Sequence, residues 1–194
     1  MKHTKNYFDK AIEVIKKIDL IKISKISSRL AKIKKNKGRI FFIGVGGSAG
    51  NCSHAVNDFR KICEIESYCP SDNTSELTAR INDEGWNTCY SEWLKVSNLQ
   101  KKDCLFIMSV GGGDLKREIS INIINSLKYA KKVGCDVVGI VGKKNGYTAK
   151  NFKNIINIPN VDQKLITPLT EGFQAVVWHC LVSDPKLQIK KAVW

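Results

Sequence analysis

The sequence predicts an α/β fold in which helices flank a parallel β-sheet and an N-terminal helical arm precedes it. Short runs rich in β-branched and aromatic residues alternate with longer stretches of helical periodicity. Apolar strands that alternate with helices indicate a parallel sheet covered on both faces. The length of 194 residues suits one domain with a substantial core, and no repeat, low-complexity tract or linker divides it. We therefore expect a single domain over residues 1–194.

The first part of the chain, residues 1–37, is predicted to form one or two helices. Its apolar side chains recur at helical intervals, and the polar stretch Asn36–Lys37–Gly38 ends the pattern. The apolar positions are Phe8, Ile12, Ile15, Ile23, Ile26, Leu30 and Ile33. An apolar face of this kind needs a surface to cover it, so we expect the arm to pack against a partner's arm in an oligomer.

Strands and helices alternate from residue 39 onward. The strand candidates are residues 39–45, 104–110, 136–142 and 154–159, with a much weaker strand pattern in KICEIESYCP at 61–70. The helix candidates are residues 49–63, 73–81, 86–97, 115–133 and about 168–183. Pro168 suits the first turn of the last helix.

Charge and cysteine content limit the class of protein. The net charge of +14 raises the question of a nucleic-acid partner, but many of the lysines lie at amphipathic helical spacing, which favours solvated faces over such a partner. No apolar run approaches the roughly 20 residues that cross a bilayer, and the N-terminus is charged throughout, unlike a signal peptide. The seven cysteines form no CxxC pair, which indicates reduced, mostly buried thiols. We expect a cytoplasmic protein without a membrane partner.

Two of the predicted strands end in glycine-rich turns, GVGGS at 44–48 and SVGGGD at 109–114. Ligands of parallel sheets bind beyond the carboxyl ends of the strands, where both turns are expected. A dinucleotide site has a glycine at the last position of its turn, where this chain has Ala49. It also has an acidic residue about 20 positions later at the end of a second strand, and that strand is only weakly indicated here. Gly46, Gly47 and Ser48 could instead cradle a phosphate at a helix N-terminus, or could form only a tight turn.

Three side chains with possible chemistry lie on predicted helices. His54 and Asp58 are four residues apart and therefore share a helical face, where they could hold a metal, relay a proton or simply pair with each other. His179 lies in the apolar last helix, eight residues after Glu171. In most helices, an apolar run that contains one histidine is a core helix with a hydrogen-bonded imidazole.

Taken together, these motifs resemble the phosphoheptose isomerases, which are enzymes with a sugar isomerase (SIS) domain. The resemblance rests on the strand, the GGSA turn, the His54–Asp58 helix and ELTARINDEGW at 76–86, and it covers nearly the whole chain. It implies a single SIS domain with a five-stranded parallel sheet. It also implies conversion of sedoheptulose 7-phosphate to D-glycero-D-manno-heptose 7-phosphate, for a surface polysaccharide. The implied assembly is a homotetramer with one zinc ion in each active site, at a subunit interface.

The resemblance also implies roles for individual residues. The metal ligands would be His54, Asp58, Glu171 and His179. Asp58 would be the first candidate for the base, with Glu171 next and His179 as acid. The substrate contacts would be Gly46, Gly47, Ser48, Asn82, Asp83, Ser109, Gly111 and Gly112.

This chain departs from the family pattern at several of these positions. Val45 replaces an asparagine, Asp58 replaces a glutamate and Glu171 replaces a glutamine. The second turn keeps only the hydroxyl of Ser109, and Asp114 would repel a phosphate unless Lys116 or Arg117 offsets its charge.

Two further expectations concern function and assembly. The alternative to an isomerase is a non-catalytic member of the family that binds the replication initiator, and the joint presence of the matching acidic and histidine residues favours the enzyme. Glu171 and His179 lie about 12 Å apart along a helix and point about 80° apart. We therefore expect that, if all four proposed ligands share one zinc ion, at least one comes from a neighbouring chain.

Overall fold

The computed structural model describes residues 1–190 and contains one five-stranded parallel sheet. The strands are β1 (Ile40–Ile43), β2 (Ser67–Tyr68), β3 (Cys104–Ser109), β4 (Asp136–Val141) and β5 (Ile155–Asn157), in the order β2-β1-β3-β4-β5. The helices are α1 (Lys2–Lys17), α2 (Leu20–Lys35), α3 (Gly47–Lys61), α4 (Thr74–Glu84), α5 (Cys89–Val96), α6 (Ile121–Val133), α7 (Tyr147–Asn151) and α8 (Ile166–Val182). The predicted α/β class with a five-stranded parallel sheet is confirmed.

The sheet is buried because every side chain of β1 and β3 is apolar or small and is covered on both faces. One core cluster joins the sheet to α2, α3 and α8 through residues such as Leu30, Phe59 and Trp178. The other joins its opposite face to α5 and α6 through Leu94 and Leu127. This two-sided burial is what continuous apolar strands predict.

The boundaries differ from prediction where local turns outweigh apolar periodicity. The weak pattern near residue 65 does form an edge strand, but only two residues pair, Ile40 with Ser67 and Phe41 with Tyr68. Helix α6 begins six residues later than expected, because Asp114 and Ile119 pair in an antiparallel bridge that occupies the segment before it. The short helix α7 follows a glycine turn and has no apolar repeat long enough to predict it.

The N-terminal arm divides into two helices with different environments. Helix α2 packs into the chain's own core, where Ile23 and Leu30 are 8% and 0% exposed, so the expectation that a partner covers them is wrong. Helix α1 keeps Phe8, Ile12 and Ile15 exposed, at 62%, 49% and 59%. The exposed apolar side chains of this arm therefore lie on α1 and at the first two positions of α2, Leu20 and Ile21, which are 68% and 70% exposed.

All seven cysteines are free, six of them buried and Cys180 exposed, as the absence of paired motifs predicts. Burial raises the pKa of the Cys63 thiol to about 11, so this group remains an uncharged apolar side chain. Among residues 1–190, no helix combines the length and apolarity that crossing a bilayer requires.

Candidate active site

The candidate site lies along the seam between α3 and α8, two helices that run parallel from the carboxyl edge of the sheet. Three successive contacts define the seam. The Asn51 amide donates to Gln174 Oε1 at 2.7 Å, the His54 ring packs on Trp178 with centroids 5.3 Å apart, and Asp58 faces His179. Because the helices keep one register, residues that are more than 100 positions apart in sequence meet in order along the seam.

At the last two of these contacts, His54, Asp58 and His179 form a compact cluster. The Oδ2 atom of Asp58 lies 3.6 Å from His54 Nε2 and 3.4 Å from His179 Nε2. One potential ligand atom from each residue lies within 4.8 Å of the other two. The spacing of four residues brings the first pair together on α3, and the seam adds the second histidine from α8.

Asp58 is held in place from two sides. Its side chain is almost fully buried, and its Oδ2 atom accepts a hydrogen bond from the indole N–H of Trp178 at 3.1 Å. Its Oδ1 atom accepts a second hydrogen bond from the Asn57 amide at 3.1 Å. A buried carboxylate is costly unless such donors compensate for lost water, so these contacts both stabilise and orient it.

The His179 ring has a defined tautomer. Its Nδ1 atom lies 2.8 Å from the carbonyl oxygen of Ala175, which can only accept, so Nδ1 carries the proton. In its neutral form the ring therefore presents a lone pair on Nε2 toward the Asp58 carboxylate. Two acceptors that face each other at this distance need a proton or a cation between them.

These three residues suit a divalent cation of the zinc type. Two imidazoles and one carboxylate are ligands that zinc commonly takes, and three protein ligands leave a position open, as in catalytic sites. A tetrahedral ion with bonds of about 2.0–2.1 Å keeps its ligand atoms about 3.3–3.4 Å apart, close to the two distances from Asp58. Metal-binding histidines usually donate their other ring N–H to a carbonyl or carboxylate, as His179 does to the Ala175 carbonyl, and this contact fixes the tautomer and the ring orientation.

Glu171 lies outside this cluster, so the structure brings together three of the four expected ligands. Its half-buried carboxylate packs against Gly47, two helical turns from His179. A Cβ atom added to Gly47 would lie only 2.5 Å from Glu171 Oε2. The positions of Glu171 and His179 therefore agree with the expectation that one chain does not supply both residues to a single ion.

The first glycine turn has the features of an anion cradle, but one of them is already in use. Gly46 has φ +64°, a conformation that favours glycine, and α3 begins directly after it with Gly47 and Ser48 at its first positions. The amides at those positions have no carbonyl partner within a helix. The Ser48 hydroxyl, however, is buried and accepts a hydrogen bond from Gln174 Nε2 at 3.1 Å.

Gln174 and Trp178 are the site residues that sequence reasoning missed. Gln174 is fully buried and connects Ser48 to Asn51, and Trp178 orients Asp58. The sequence does show an amide, Gln174, and an indole, Trp178, in an otherwise apolar helix. Their partners lie on a distant helix, however, and only the fold identifies them.

The second glycine turn is stabilised by hydrogen bonds that involve one side chain of the turn and one of α7. Ser109 Oγ accepts from the Gly112 amide at 3.0 Å, and Thr148 donates to the Gly112 carbonyl. Asp114 pairs with Arg117 at 2.8 Å, and this contact holds the pKa of its carboxyl below the usual value. The charge of Asp114 is therefore offset, which was the condition for an anion to bind nearby.

Asn82 and Asp83 lie at the end of α4, on a helix that buries none of its residues. The Asn82 amide donates to Asp83 at 2.7 Å, and both side chains are mainly exposed. Within residues 1–190 no hydrogen bond or ion pair joins Asp83 to the histidine cluster. A role in substrate binding therefore stays a prediction.

Known proteins share this fold and parts of this sequence. Residues 6–142 match the SIS domain family. Lincomycin biosynthesis protein LmbN of Streptomyces lincolnensis is 32% identical over 74% of this chain, which spans only 54% of that protein. Phosphoheptose isomerase of Nitratiruptor is 30% identical over 77% of this chain and 76% of its own length. Phosphoheptose isomerase GmhA of Neisseria gonorrhoeae has the same fold, with a TM-score of 0.81, 21% identity and coverage of 93% and 95% of the two chains.

Proposed function

The chain belongs to the SIS domain family, and we propose that it is a phosphoheptose isomerase. It would convert sedoheptulose 7-phosphate to D-glycero-D-manno-heptose 7-phosphate, a precursor of surface polysaccharide. The observation that carries this proposal is the cluster of His54, Asp58 and His179 on the same helix seam as an anion-cradling glycine turn. The relatives that bear the name phosphoheptose isomerase support the substrate.

The distance between the two halves of the site fits one substrate molecule. His54 lies seven residues after Gly47 on α3, or about 10 Å along the helix axis. This is the scale of an extended seven-carbon sugar phosphate. We infer that the phosphate binds at the glycine turns and the carbonyl end reaches the cluster.

The reaction moves one proton between neighbouring carbons of the sugar. In the proposed mechanism the Asp58 carboxylate removes the proton from the carbon beside the carbonyl and returns it to the adjacent carbon. Oδ1 would serve in this step, because it accepts only from the Asn57 amide, whereas Oδ2 accepts from Trp178 and faces both histidines. In the metal-free site, His179 Nε2 would exchange the proton of the sugar hydroxyl, since Nδ1 is held by the Ala175 carbonyl; with zinc bound, Nε2 would be the metal ligand instead.

We propose that the metal is zinc, one ion per active site, held by His54, Asp58 and His179. When bound, zinc would act as a Lewis acid that stabilises negative charge on the carbonyl oxygen. Trp178 would support the site by fixing the carboxylate of Asp58. Glu171 would place a negative charge at the first glycine turn and would not bind the metal of its own chain.

We propose that the protein is a homotetramer with active sites at subunit interfaces. The exposed apolar face of α1 supports an interface, and the exposed helix α4 supports delivery of Asp83 to a site on a neighbouring chain. A cytoplasmic location stays a prediction.

An isomerase assay with sedoheptulose 7-phosphate tests this function. The purified protein should form the heptose phosphate, lose activity with a chelator and recover it with added zinc. Activity that a chelator leaves unchanged would exclude the metal but leave Asp58 and His179 as acid and base. Absence of turnover in the zinc-loaded protein would overturn the isomerase and favour a non-catalytic binding role.

A further inference from the structure

A second cleft lies at the carboxyl edge of β4 and β5, at the opposite end of α8 from the histidine cluster. Its volume is about 880 Å³, within the usual range of roughly 300–1,000 Å³ for ligand sites. Three segments line it: the corner between α1 and α2, the loop after β4, and the segment after β5. We call it the basic cleft, after its lining residues Lys17, Lys22, Lys143 and Lys144.

The positive charge of the basic cleft is largely uncompensated. Lys17 pairs with Glu13 at 2.6 Å, and the only carboxylate in the lining, Asp19, accepts from the Lys22 amide as a helix cap. Among the ion pairs of residues 1–190, none involves the side chains of Lys22, Lys143 or Lys144. Three ammonium groups around one concave surface favour a ligand with at least two negative charges.

Backbone amides add to this preference. In the turn after β4, the Lys143 amide donates to Val110 and the Gly146 amide donates to the Lys143 carbonyl. The two amides between them, those of Lys144 and Asn145, donate to no acceptor within the part of the chain that the structure describes. Consecutive free amides beside lysines are a common arrangement for binding phosphate oxygens.

The part of the basic cleft at the start of α8 is too far from the histidine cluster for one substrate molecule to span both. Ile166 lines the cleft at the start of α8, and His179 lies 13 residues later on that helix. This separation is about 20 Å along the axis, twice the distance from the glycine turn to His54.

We propose that the basic cleft binds a second phosphorylated small molecule, a sugar phosphate ester distinct from the substrate in the active site. The lysines and the free amides would hold the phosphate. The side-chain amides of Asn145, Asn157 and Asn160, which also line the cleft, would bind the sugar hydroxyls. No step of this inference depends on the isomerase reaction.

Calorimetric titration with glucose 6-phosphate and with inorganic phosphate tests the proposal, using the full chain and a K143Q/K144Q variant. A K150Q/K153Q variant is the matched control, because it removes the same charge from exposed lysines outside the cleft. We expect glucose 6-phosphate to bind the wild type and the control equally, and the cleft variant at least tenfold more weakly. Inorganic phosphate should bind more weakly than the sugar ester at the same site.

Several outcomes would overturn the proposal. Equal affinity in all three proteins would show that the cleft is not the site. An equal loss in both variants would show a response to overall charge alone. Inorganic phosphate that binds as tightly as the ester would exclude the sugar contacts. Because binding is measured without turnover, none of these results bears on the isomerase assay, and failure of that assay leaves this test intact.

Discussion

Trp178 donates its indole N–H to the Oδ2 atom of Asp58 at 3.1 Å, and the same oxygen faces His54 and His179. The indole therefore sets the orientation of the one carboxylate shared by both imidazoles. Trp178 is 1% exposed, so neither ring nor carboxylate can turn away without disturbing the core. This contact connects the packing of α8 to the chemistry of the cluster.

We expect the Trp178→Phe substitution to weaken the proposed zinc binding by about 10–100-fold, the usual effect of losing a hydrogen bond that orients a metal ligand. Trp93→Phe is the matched control, because Trp93 is also buried but lies in the other core cluster. Both changes should lower the melting temperature, whereas only the first should alter metal affinity in a competition titration. Equal metal affinity in the two variants would show that the indole has no role in the site.

Glu171→Gln should lower KM for the sugar phosphate several-fold and leave zinc content unchanged. The Glu171 carboxylate packs on Gly47 at the helix start that is proposed to receive the phosphate, so removing its charge removes repulsion. A gain of about 1.4 kcal/mol would give a tenfold lower KM. Steady-state kinetics test this, with Glu92→Gln on α5 as the control for charge alone. If kcat instead falls 100-fold, Glu171 rather than Asp58 is the base.

Substitution of two glycines near the site should have opposite effects on stability. In Gly44→Ala the new Cβ would lie 2.6 Å from the Ser48 carbonyl oxygen, a backbone atom that cannot move freely, so we expect a loss of about 1–3 kcal/mol. In Gly50→Ala nothing lies within 4 Å and the residue is helical, so we expect a gain of about 0.5–1 kcal/mol. Denaturant unfolding measures both. Similar values for the two variants would contradict the tight turn described here.

An I12K/I15K variant should dissociate the proposed tetramer into smaller species. Both side chains lie on the exposed apolar face of α1, where a buried ammonium group would be costly at an interface. Val96→Lys, an exposed apolar position on α5, is the control. Light scattering that finds an unchanged mass in the first variant would exclude α1 as the interface, and a wild-type monomer would exclude the tetramer itself.

The sequence was sufficient to predict which residues lie together within one helix, but not which residues of different elements are in contact. His54 and Asp58 could be paired from their spacing alone, because the helix period decides which residues share a face. The core role of Ile23 and Leu30 could not be predicted, since an apolar helical face looks the same whether its own sheet or a partner covers it. Gln174 and Trp178 acquire their roles only when α8 lies parallel to α3, a register that no local pattern specifies.

The role of Asp58 is tested most directly by incubating the protein with sedoheptulose 7-phosphate in deuterium oxide and following the sugar by NMR. We expect the wild type to form the aldose phosphate with deuterium on the carbon beside the carbonyl. Asp58→Asn should be slower by about 10²–10⁴-fold, as expected for loss of a general base, and Asp58→Glu should retain most of the rate. Equal rates of deuterium incorporation in the wild type and Asp58→Asn would contradict the role of Asp58 as the base.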